Sequence, residues 1–579
     1  MTPQLPPAGS FSNCRRALAC GIAAIFALMT ACGGGSEGAA TAPAPPPATT
    51  PPPVAAATKP EAYRFLNQAT FGATEAEATA VASTGYSSWI DLQLSQPASV
   101  QLPVVEAAYG LLANPAQMIG SLNGDRTDAW MRNAVRGPDQ LRQRVAFALS
   151  EIMVVSQAST LQNMPHALAD YHDMLARNAF GSFRKLIEDV TLHPAMGVYL
   201  SMLGNQKPNT ALNIRPDENY ARELMQLFTI GLVELNLDGT IRRDAQDQPL
   251  PTYTQEIIEG FAHVFTGWNY AGAPGFAQAR RTLQNQILPM QAYPEQHATG
   301  TKRLLPSNGL PVTLPANQTP ARDLADALDN IVNHPNVGPF IAKQLIQKLV
   351  TSNPSPQYIE RIARIFNNDG TGQRGNLGAV VKALLLDSEA RTSPTTAAAG
   401  KLKEPLLRLT QVLRAYNAQA ASGRYFIGPN QLTAAFGQAP LNSPSVFNFF
   451  SPFYAPPGEI STQGLVAPEL QLATEYLNTT VTNYLYGQAF CFVPNPVAGC
   501  PALRADTIVL DTSAELALAA DSDALVTRIA ERLMAGQISA TLRTQAKGMV
   551  DIVPASSAQQ RVAEALYLIA SSPDFALQR

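Results

Sequence analysis

The sequence predicts a mainly α-helical protein, built as one large multi-helix body with a few short strands. Apolar residues recur at helical spacing through most of the chain, whereas the alternation typical of strands is limited to residues 302–314 and parts of 490–512. Hydrophobic residues make up 46% of the 579 residues, which is enough to bury a large core. No repeat of fixed period is visible, so a solenoid is not expected.

The helical pattern begins at residue 61 and recurs to the end of the sequence. A helix predicted over 61–72 ends at a glycine, a common stop signal, and a second pattern ends at 89–94. Further helices are predicted over 141–155, 171–192, 255–268, 324–333, 339–351, 357–367, 377–387, 402–416, 524–535 and 559–572. We therefore expect one folded region over 61–579, either a single body or two lobes.

The segment 215–231 has the clearest helical pattern. Tyr220, Leu224, Leu227 and Phe228 recur at the spacing of one helix face. A proline and an aspartate mark the start of the segment and a glycine marks its end. The pattern predicts a core helix of about four turns.

The other flank of this helix is polar and supplies the first candidate site. Glu218 precedes Arg222 by four residues, and Asn219 stands in the same relation to Glu223, so each pair lies on one face. A buried Glu223 beside Arg222 suits a positioned base, a metal ligand or an anion clamp. The structural alternative is a buried Arg–Glu network that fixes the helix register.

His297 and Lys302 are the other catalytic candidates. They lie in a segment with loop signals on both sides, and loop residues on a helical scaffold are enriched in functional roles. The alternative is a pair of polar surface residues. A hydrolytic site would combine Glu223 and His297 with Arg222 or Lys302 as the charge stabiliser.

Asn219, Trp268 and His334 are candidate binding residues. Trp268 and the aromatic run 447–454 suit either an ordered packed loop or a stacking wall for a sugar or an apolar ligand. His334 precedes a proline, where it could instead satisfy backbone groups of a turn. Glu223, His297 and His334 have acceptable ligand chemistry for a divalent metal, but their spacing gives no support, so neither a metal site nor a cofactor is predicted.

The N-terminal residues 1–31 have the layout of a lipoprotein signal peptide. Arg15 and Arg16 precede an apolar run too short to span a bilayer, which ends in Leu-Met-Thr-Ala-Cys32, similar to a bacterial lipobox. This pattern predicts lipid attachment at Cys32; ordinary secretion is the alternative. Gly33 follows the cysteine where an inner-membrane retention signal would have aspartate, which favours the outer membrane in a two-membrane bacterium.

Residues 32–60 are predicted to be a disordered tether. They consist mainly of Pro, Ala, Gly, Thr and Ser and cannot bury enough apolar surface to fold. Cys491 and Cys500 bracket a turn-rich loop in a protein expected to be exported, which predicts a local disulfide, with two free thiols as the alternative. The net charge of −3 and the lack of a basic tract argue against a nucleic acid partner.

Several segments together resemble one bacterial family. They are 65–72, 189–197, 215–231, 265–268, 333–340 and 443–450, and they occur in the same order as in domain of unknown function 1800. The resemblance extends from about residue 60 to the C-terminus. It implies export and an envelope location, and it suggests a partner from another exported family, domain of unknown function 1501. It implies no reaction.

Two classes of function follow. The first is a binding or assembly role for an exported, lipid-anchored envelope protein, including the case of a scaffold for the neighbouring family. The alternative is a hydrolase or metal-dependent enzyme acting on an envelope polymer. An enzyme requires Glu223, His297 and a cation to converge at a cleft, whereas a binding protein allows them to lie apart.

Overall fold

The computed structural model describes residues 57–306, 309–392 and 399–579, which belong to one compact unit. In the first half of the chain the α-helices are α1 (Lys59–Ala69), α2 (Glu75–Thr84), α3 (Tyr86–Ser95), α4 (Leu102–Tyr109), α5 (Pro115–Met118), α6 (Asn123–Arg136), α7 (Gln140–Ser150), α8 (Pro165–Asn178), α9 (Phe183–Leu192), α10 (Pro194–Tyr199), α11 (Asn219–Glu223) and α12 (Gln255–Val264). The predicted signal peptide and Cys32 lie outside the described residues, as does most of the tether.

The second half of the chain continues the helical pattern. Its α-helices are α13 (Pro320–Val332), α14 (Val337–Leu349), α15 (Pro356–Asn367), α16 (Leu377–Leu386), α17 (Ser388–Arg391), α18 (Pro405–Ala415), α19 (Pro429–Phe436), α20 (Glu459–Thr462), α21 (Glu475–Phe490), α22 (Ser513–Leu516), α23 (Ser522–Met534), α24 (Ala540–Ile552), α25 (Ala558–Ala570) and α26 (Pro573–Ala576). Short 3₁₀ turns occupy Ile119–Leu122, Thr160–Asn163, Phe276–Gln278, Asn285–Ile287, Pro294–Gln296 and Pro468–Leu472.

Strands are few and short. The described residues contain three two-stranded antiparallel sheets, which pair β1 (Trp268–Asn269) with β2 (Gln291–Ala292), β3 (Lys302–Arg303) with β4 (Thr313–Leu314), and β5 (Lys401–Leu402) with β6 (Leu577–Gln578). In the same part of the chain, twenty helices have seven or more residues. The prediction of a mainly α-helical body with a few short strands is confirmed.

The start of the body differs slightly from the prediction. Helix α1 begins at Lys59, inside the last two residues assigned to the tether, because Thr58 and Glu61 form a reciprocal capping box. Each accepts a hydrogen bond from the backbone N–H of the other.

The central helix also differs from the prediction. It begins at Asn219 rather than near residue 216, and after Glu223 it continues as a π-helix over Leu224–Thr229. The Thr229 hydroxyl donates to the Leu224 carbonyl at 2.6 Å, five residues back. This wider turn buries Met225 completely, whereas Leu227, predicted for the apolar face, is only partly buried.

Two apolar cores organise the helices. The first core lies among α1–α3, α7–α10, the central helix and α12–α17, and the second lies among α6, α18, α19, α21 and α23–α26. Helix α7 contributes to both, with Val145 and Leu149 in the first core and Phe147 in the second. The boundary between the cores therefore runs along α7.

Candidate functional site

The predicted site on the central helix is only partly assembled. Glu223 is 7% exposed, and its Oε2 has no hydrogen-bond partner within the described residues. Burial raises the pKa of Glu223, and the charge of Arg222 partly offsets that effect. Arg222 donates to Glu218 at 3.0 Å, the predicted pair, whereas no hydrogen bond joins the side chains of Asn219 and Glu223 in this part of the chain.

His297 and Lys302 are brought together, but on a residue that the sequence analysis did not select. His297 Nε2 lies 2.8 Å from Asp323 Oδ2, and Lys302 Nζ lies 2.7 Å from the same oxygen. His297 Nδ1 lies 2.8 Å from the Thr266 carbonyl oxygen. All three side chains are at most 2% exposed, so the alternative of polar surface residues is wrong. This closed trio fixes the segment 293–302 against α13.

The convergence required for the proposed hydrolytic site is not found. Every described polar contact of His297 and Lys302 is within the trio or with nearby backbone and Thr266, and none is with Glu223. Among residues 57–306, 309–392 and 399–579, no three His, Cys, Asp or Glu side chains are grouped to hold a metal ion. Glu223, His297 and His334 therefore do not form such a group.

His334 and Trp268 both make contacts that are typical of residues with a structural role. His334 Nδ1 accepts a hydrogen bond from the Asn336 N–H at 3.2 Å, the turn role considered as the alternative. Burial and the charge of Arg374 lower the pKa of His334 to about 4. Trp268 is 4% exposed and starts β1, opposite Ala292, so it presents no stacking surface to solvent.

The structure describes both the aromatic run 447–454 and the pair of cysteines at 491 and 500. Phe450 is buried at 3% exposure, whereas Phe447 and Phe453 are 57% and 64% exposed. The run is therefore anchored by one ring and presents two others. Cys491 and Cys500 are joined in a disulfide.

A buried charge cluster lies at the boundary of the two cores. Its members are Arg144 on α7, Glu151 directly after α7, Lys348 on α14, Lys401 on β5, Glu404 at the start of α18 and Glu469 in the 3₁₀ turn at 468–472. Each residue is at most 7% exposed. The cluster thus connects elements of the first core to α18 of the second.

The distances between cations and carboxylates differ within this cluster. Lys401 Nζ lies 3.0 Å from Glu469 and 3.9 Å from Glu404, and Lys348 Nζ lies 3.3 Å from Glu151 Oε2. That Glu151 oxygen makes no hydrogen bond within the described residues. Arg144 donates to the Lys348 carbonyl at 2.6 Å instead of to a carboxylate. By distance, the shortest ion pair in the cluster is that of Lys401 with Glu469, and Glu404 has a longer contact with a cation than Glu151 has.

Glu151 and Glu404 share one site and have opposite pKa shifts. Burial, followed by the negative charge of Glu404, raises the pKa of Glu151 to about 8. Burial alone would raise the pKa of Glu404 too, but Lys401, Lys348 and Arg144 lower it. With these shifts Glu151 is the protonated member of the pair at neutral pH and Glu404 is the ionised member.

The cluster has little room for a substrate. The pocket beside it, lined by Gln347, Lys348, Phe450, Pro452 and others, has a water-accessible volume of about 10 Å³. One water molecule needs roughly that much space. In this conformation the cluster joins the two cores rather than holding a ligand.

A larger opening, here called the α4 groove, lies on another side of the body. It has a volume of about 530 Å³ and is lined by Tyr109, Asn114, Pro115, Ile119, Asn163, Arg281, Thr282, Leu283 and Gln286. Such a volume is within the range of small-molecule and oligomer sites. The lining side chains include amides, a hydroxyl, a guanidinium and an aromatic ring, and no carboxylate.

Both walls of the α4 groove are held by buried polar side chains. The Asp173 carboxylate on α8 accepts hydrogen bonds from the backbone N–H groups of Gln101 and Leu102 at 2.8–2.9 Å, which caps α4 from outside. Asn285 donates to the carbonyls of Arg280 and Ala271 at 2.8 and 3.3 Å and so fixes the opposite wall. The groove is therefore preformed.

Unpaired polar atoms lie in and under the α4 groove. Gln286 is 3% exposed, and its Oε1 has no hydrogen-bond partner within the part of the chain described. Tyr109 packs edge-on against His166, with ring centroids 5.3 Å apart, and both ring nitrogens of the buried His166 also lack partners in that part. These atoms are closed off from the groove itself, so they lower the stability of its walls and do not contact a ligand in it.

Neither the buried charge cluster nor the α4 groove was predicted from the sequence, although the sequence contains weak signals of the cluster. The cluster member Glu151 interrupts the apolar run 145–155, and Glu404 directly precedes the proline that opens α18. The groove residues lie in three separate segments, so no local motif marks them.

Comparison with known proteins gives one result. A family model described as Protein of unknown function (DUF1800) matches residues 64–577. No curated protein and no solved structure matches the chain. Among the described residues, no helix has both the length and the apolar character to cross a membrane. Since the matched segment covers nearly the whole folded body, the chain belongs to the DUF1800 family.

Proposed function

We propose that this protein is exported, lipid-anchored in the cell envelope and active in binding or assembly there. The observation that carries the binding role is the α4 groove, a preformed opening of about 530 Å³ lined by polar side chains and an aromatic ring. The candidate catalytic residues support the same choice, because His297 and Lys302 are occupied by Asp323 inside the fold.

The chemistry of the α4 groove favours a polysaccharide segment. Amide and hydroxyl side chains at Asn114, Asn163 and Thr282 suit sugar hydroxyl groups, and the Tyr109 ring suits the apolar face of a sugar ring. Among the described residues of the lining Arg281 alone is charged, so an acidic polysaccharide is favoured over a neutral one.

Calorimetric titration with an acidic polysaccharide, polygalacturonate, and a neutral one, dextran, tests this proposal. We expect binding of polygalacturonate that weakens at least tenfold in Tyr109→Ala and Arg281→Ala. The matched controls are Tyr476→Ala and Arg322→Ala, exposed residues on other helices whose replacement should leave affinity unchanged. Equal affinity in all four variants, or no binding to either polymer, contradicts the groove assignment.

The anchor is proposed to be the acylated thiol of Cys32. Metabolic labelling with a clickable fatty acid should mark the wild-type protein and not Cys32→Ser, and cell fractionation should place the wild type in the outer membrane of a two-membrane host. Unlabelled wild-type protein, released into the soluble fraction, would contradict the anchor. Envelope pull-down tests the suggested partner from the DUF1501 family.

A further inference from the structure

The rim of the α4 groove carries exposed apolar side chains. Leu111, in the turn after α4, is 86% exposed, the highest value among the large apolar side chains of the described residues. Met118, the last residue of α5, is 45% exposed, and each of the two lies within two residues of a lining residue. On the opposite wall Leu288 is 48% exposed and follows the lining residue Gln286 by two positions. The groove is therefore bordered by apolar side chains on two sides.

The turn at Leu111 is held by its own backbone. The N–H groups of Leu111 and Leu112 donate to the carbonyls of Ala108 and Tyr109, each at 3.1 Å. Leu112 is half-buried and packs on the small apolar core between α4 and α8. Leu112 therefore anchors the turn, and Leu111 projects from it into solvent.

The segments that form the two walls carry positive charge and no negative charge. Residues 107–124, which include the first wall, contain no charged side chain, and the charged side chains of 264–294, which include the second, are Arg280 and Arg281 alone. Both arginines are exposed, and neither forms an ion pair within the part of the chain that the structure describes. Protein surfaces in water usually carry interspersed charges of both signs. This surface instead combines apolar side chains with positive charge.

An anionic lipid bilayer has the chemistry that this surface would recognise. Apolar side chains of an interfacial protein enter the boundary of the acyl chains, and aromatic rings such as that of Tyr109 lie at the level of the headgroups. Arginines near the membrane surface are attracted to anionic headgroups. Each type of side chain on the rim therefore has a partner in the bilayer.

The proposed anchor favours a bilayer over a protein partner. From Cys32 to residue 57, the first described residue, the chain spans at most about 90 Å when fully extended. An acylated Cys32 therefore keeps the body close to the bilayer, and a contact made within such a linked system needs little affinity of its own. A small apolar rim is enough to orient the body.

We propose that the rim of the α4 groove docks the anchored protein on an anionic lipid bilayer. The docking residues are Leu111, Met118, Leu288, Arg280 and Arg281. This docking rests on the proposed acyl anchor at Cys32 and goes beyond it, because an anchor alone fixes no orientation. The α4 groove then opens onto the headgroup layer, where acidic sugars carried by lipids can reach it.

A fluorescent reporter close to Leu111 tests the proposal on the full-length protein in vesicles of phosphatidylethanolamine and phosphatidylglycerol. Ala113→Cys adds one exposed thiol for an environment-sensitive dye, whereas Cys491 and Cys500 are joined in a disulfide. Nitroxide groups on the acyl chains should quench this dye about threefold more than a dye at the control Gln545→Cys, an exposed position on α24. Wild-type protein treated with the dye gives the background. Equal quenching at 113 and 545 overturns the proposal.

Replacing Leu111 tests whether its side chain enters the bilayer. In the Ala113→Cys background, Leu111→Ser should lower the ratio of docked to free protein about tenfold, the effect of withdrawing one leucine from an apolar environment. Ile552→Ser, at an apolar residue that is 79% exposed on α24, is the matched control and should leave the ratio unchanged. Equal effects of the two changes would contradict the docking surface.

The charge of the headgroups gives a second test. Arg280→Ala should lower the ratio of docked to free protein about fivefold, and the effect should disappear when phosphatidylglycerol is omitted. Arg322→Ala, at an exposed residue on α13, should have no effect with either lipid mixture. Unchanged docking of Arg280→Ala, or a loss that is independent of phosphatidylglycerol, refutes the assignment to an anionic surface.

Fatty-acid labelling of Cys32 separates this proposal from the anchor. Acylated protein whose dye at 113 is not quenched retains the anchor and refutes the docking surface. Quenching at 113 in protein that is not acylated refutes the anchor and retains the docking surface.

Discussion

The same isosteric change at two neighbouring glutamates should have opposite consequences. At pH 7 Glu404 is the ionised member of the pair and lies among Lys348, Lys401 and Arg144, whereas Glu151 is protonated. Glutamine at position 151 still accepts from Asn448 and can donate to Glu404 in place of the carboxyl O–H. Glu404→Gln instead removes the negative charge that the cations share.

The size of each effect follows from the surroundings. Removing one partner of a buried ion pair costs about 3–5 kcal/mol. We expect the lower end, about 3 kcal/mol, for Glu404→Gln because Glu151 can then lose its proton and take up part of the role. Glu151→Gln exchanges one neutral group for another and removes the cost of the proton that Glu151 takes up on folding at pH 7, so we expect no loss of stability and a gain instead.

Thermal unfolding at a fixed scan rate measures the change in stability of both variants. The unfolding entropy of about 2.1 cal/mol/K per residue gives about 1.1 kcal/mol/K for a body of this size, so Glu404→Gln should lower Tm by about 3 °C. Glu151→Gln should not lower Tm and should raise it. Equal Tm losses for the two variants would refute the assigned protonation states.

The pH dependence supplies an independent check on Glu151. Its pKa is about 8 in the folded protein against an ordinary value of 4.5, so the folded state binds more protons than the unfolded state between these values. The contribution of Glu151 to stability therefore falls as pH rises from 4.5 through 8. Glu151→Gln should consequently be more stable than the wild type at pH 9, and the reverse order would contradict the shift.

Three further predictions concern the rest of the body. Gly260→Ala would place a Cβ 1.9 Å from the Arg303 carbonyl oxygen, so we expect a loss of about 3 kcal/mol in unfolding free energy, measured by denaturant titration against Gly548→Ala, where the added Cβ meets open space. Because the pKa of His334 is lowered to about 4, the folded state binds fewer protons below pH 6.5, and stability should fall by about 3 kcal/mol between pH 6.5 and 4, less steeply in His334→Asn. Reductant should lower Tm for the wild type, in line with about 2–3 kcal/mol for a short disulfide loop, but not for Cys491→Ser/Cys500→Ser.

The sequence predicted what depends on local periodicity. The helical class, the apolar face at Tyr220, Leu224 and Phe228, and the Glu218–Arg222 pair all follow from spacing within two turns of a helix. The change to π geometry after Glu223 was not predicted, because it depends on a hydroxyl–carbonyl contact and on packing from other segments rather than on the apolar pattern.

Contacts between distant segments could not be predicted. Asp323 lies 26 residues after His297, in the first turn of α13, and only the fold brings the two together. The charge cluster is a stronger case, since its six members are drawn from four separate segments between residues 144 and 469. The sequence shows single charged residues within apolar runs, but it does not show which residues pair with them.

Two buried lysines close together in the sequence are stabilised by different kinds of partner. Lys401 and Lys403 are both about 95% or more buried and lie two residues apart. Lys401 faces two carboxylates, so its charge is retained and it fixes the boundary between the cores. Lys403 instead donates to the Gln411 amide oxygen and lies 3.8 Å from the centre of the Phe575 ring. Lys401 therefore contributes to the charge balance at the boundary of the cores, whereas Lys403 is held by a neutral acceptor and a ring face.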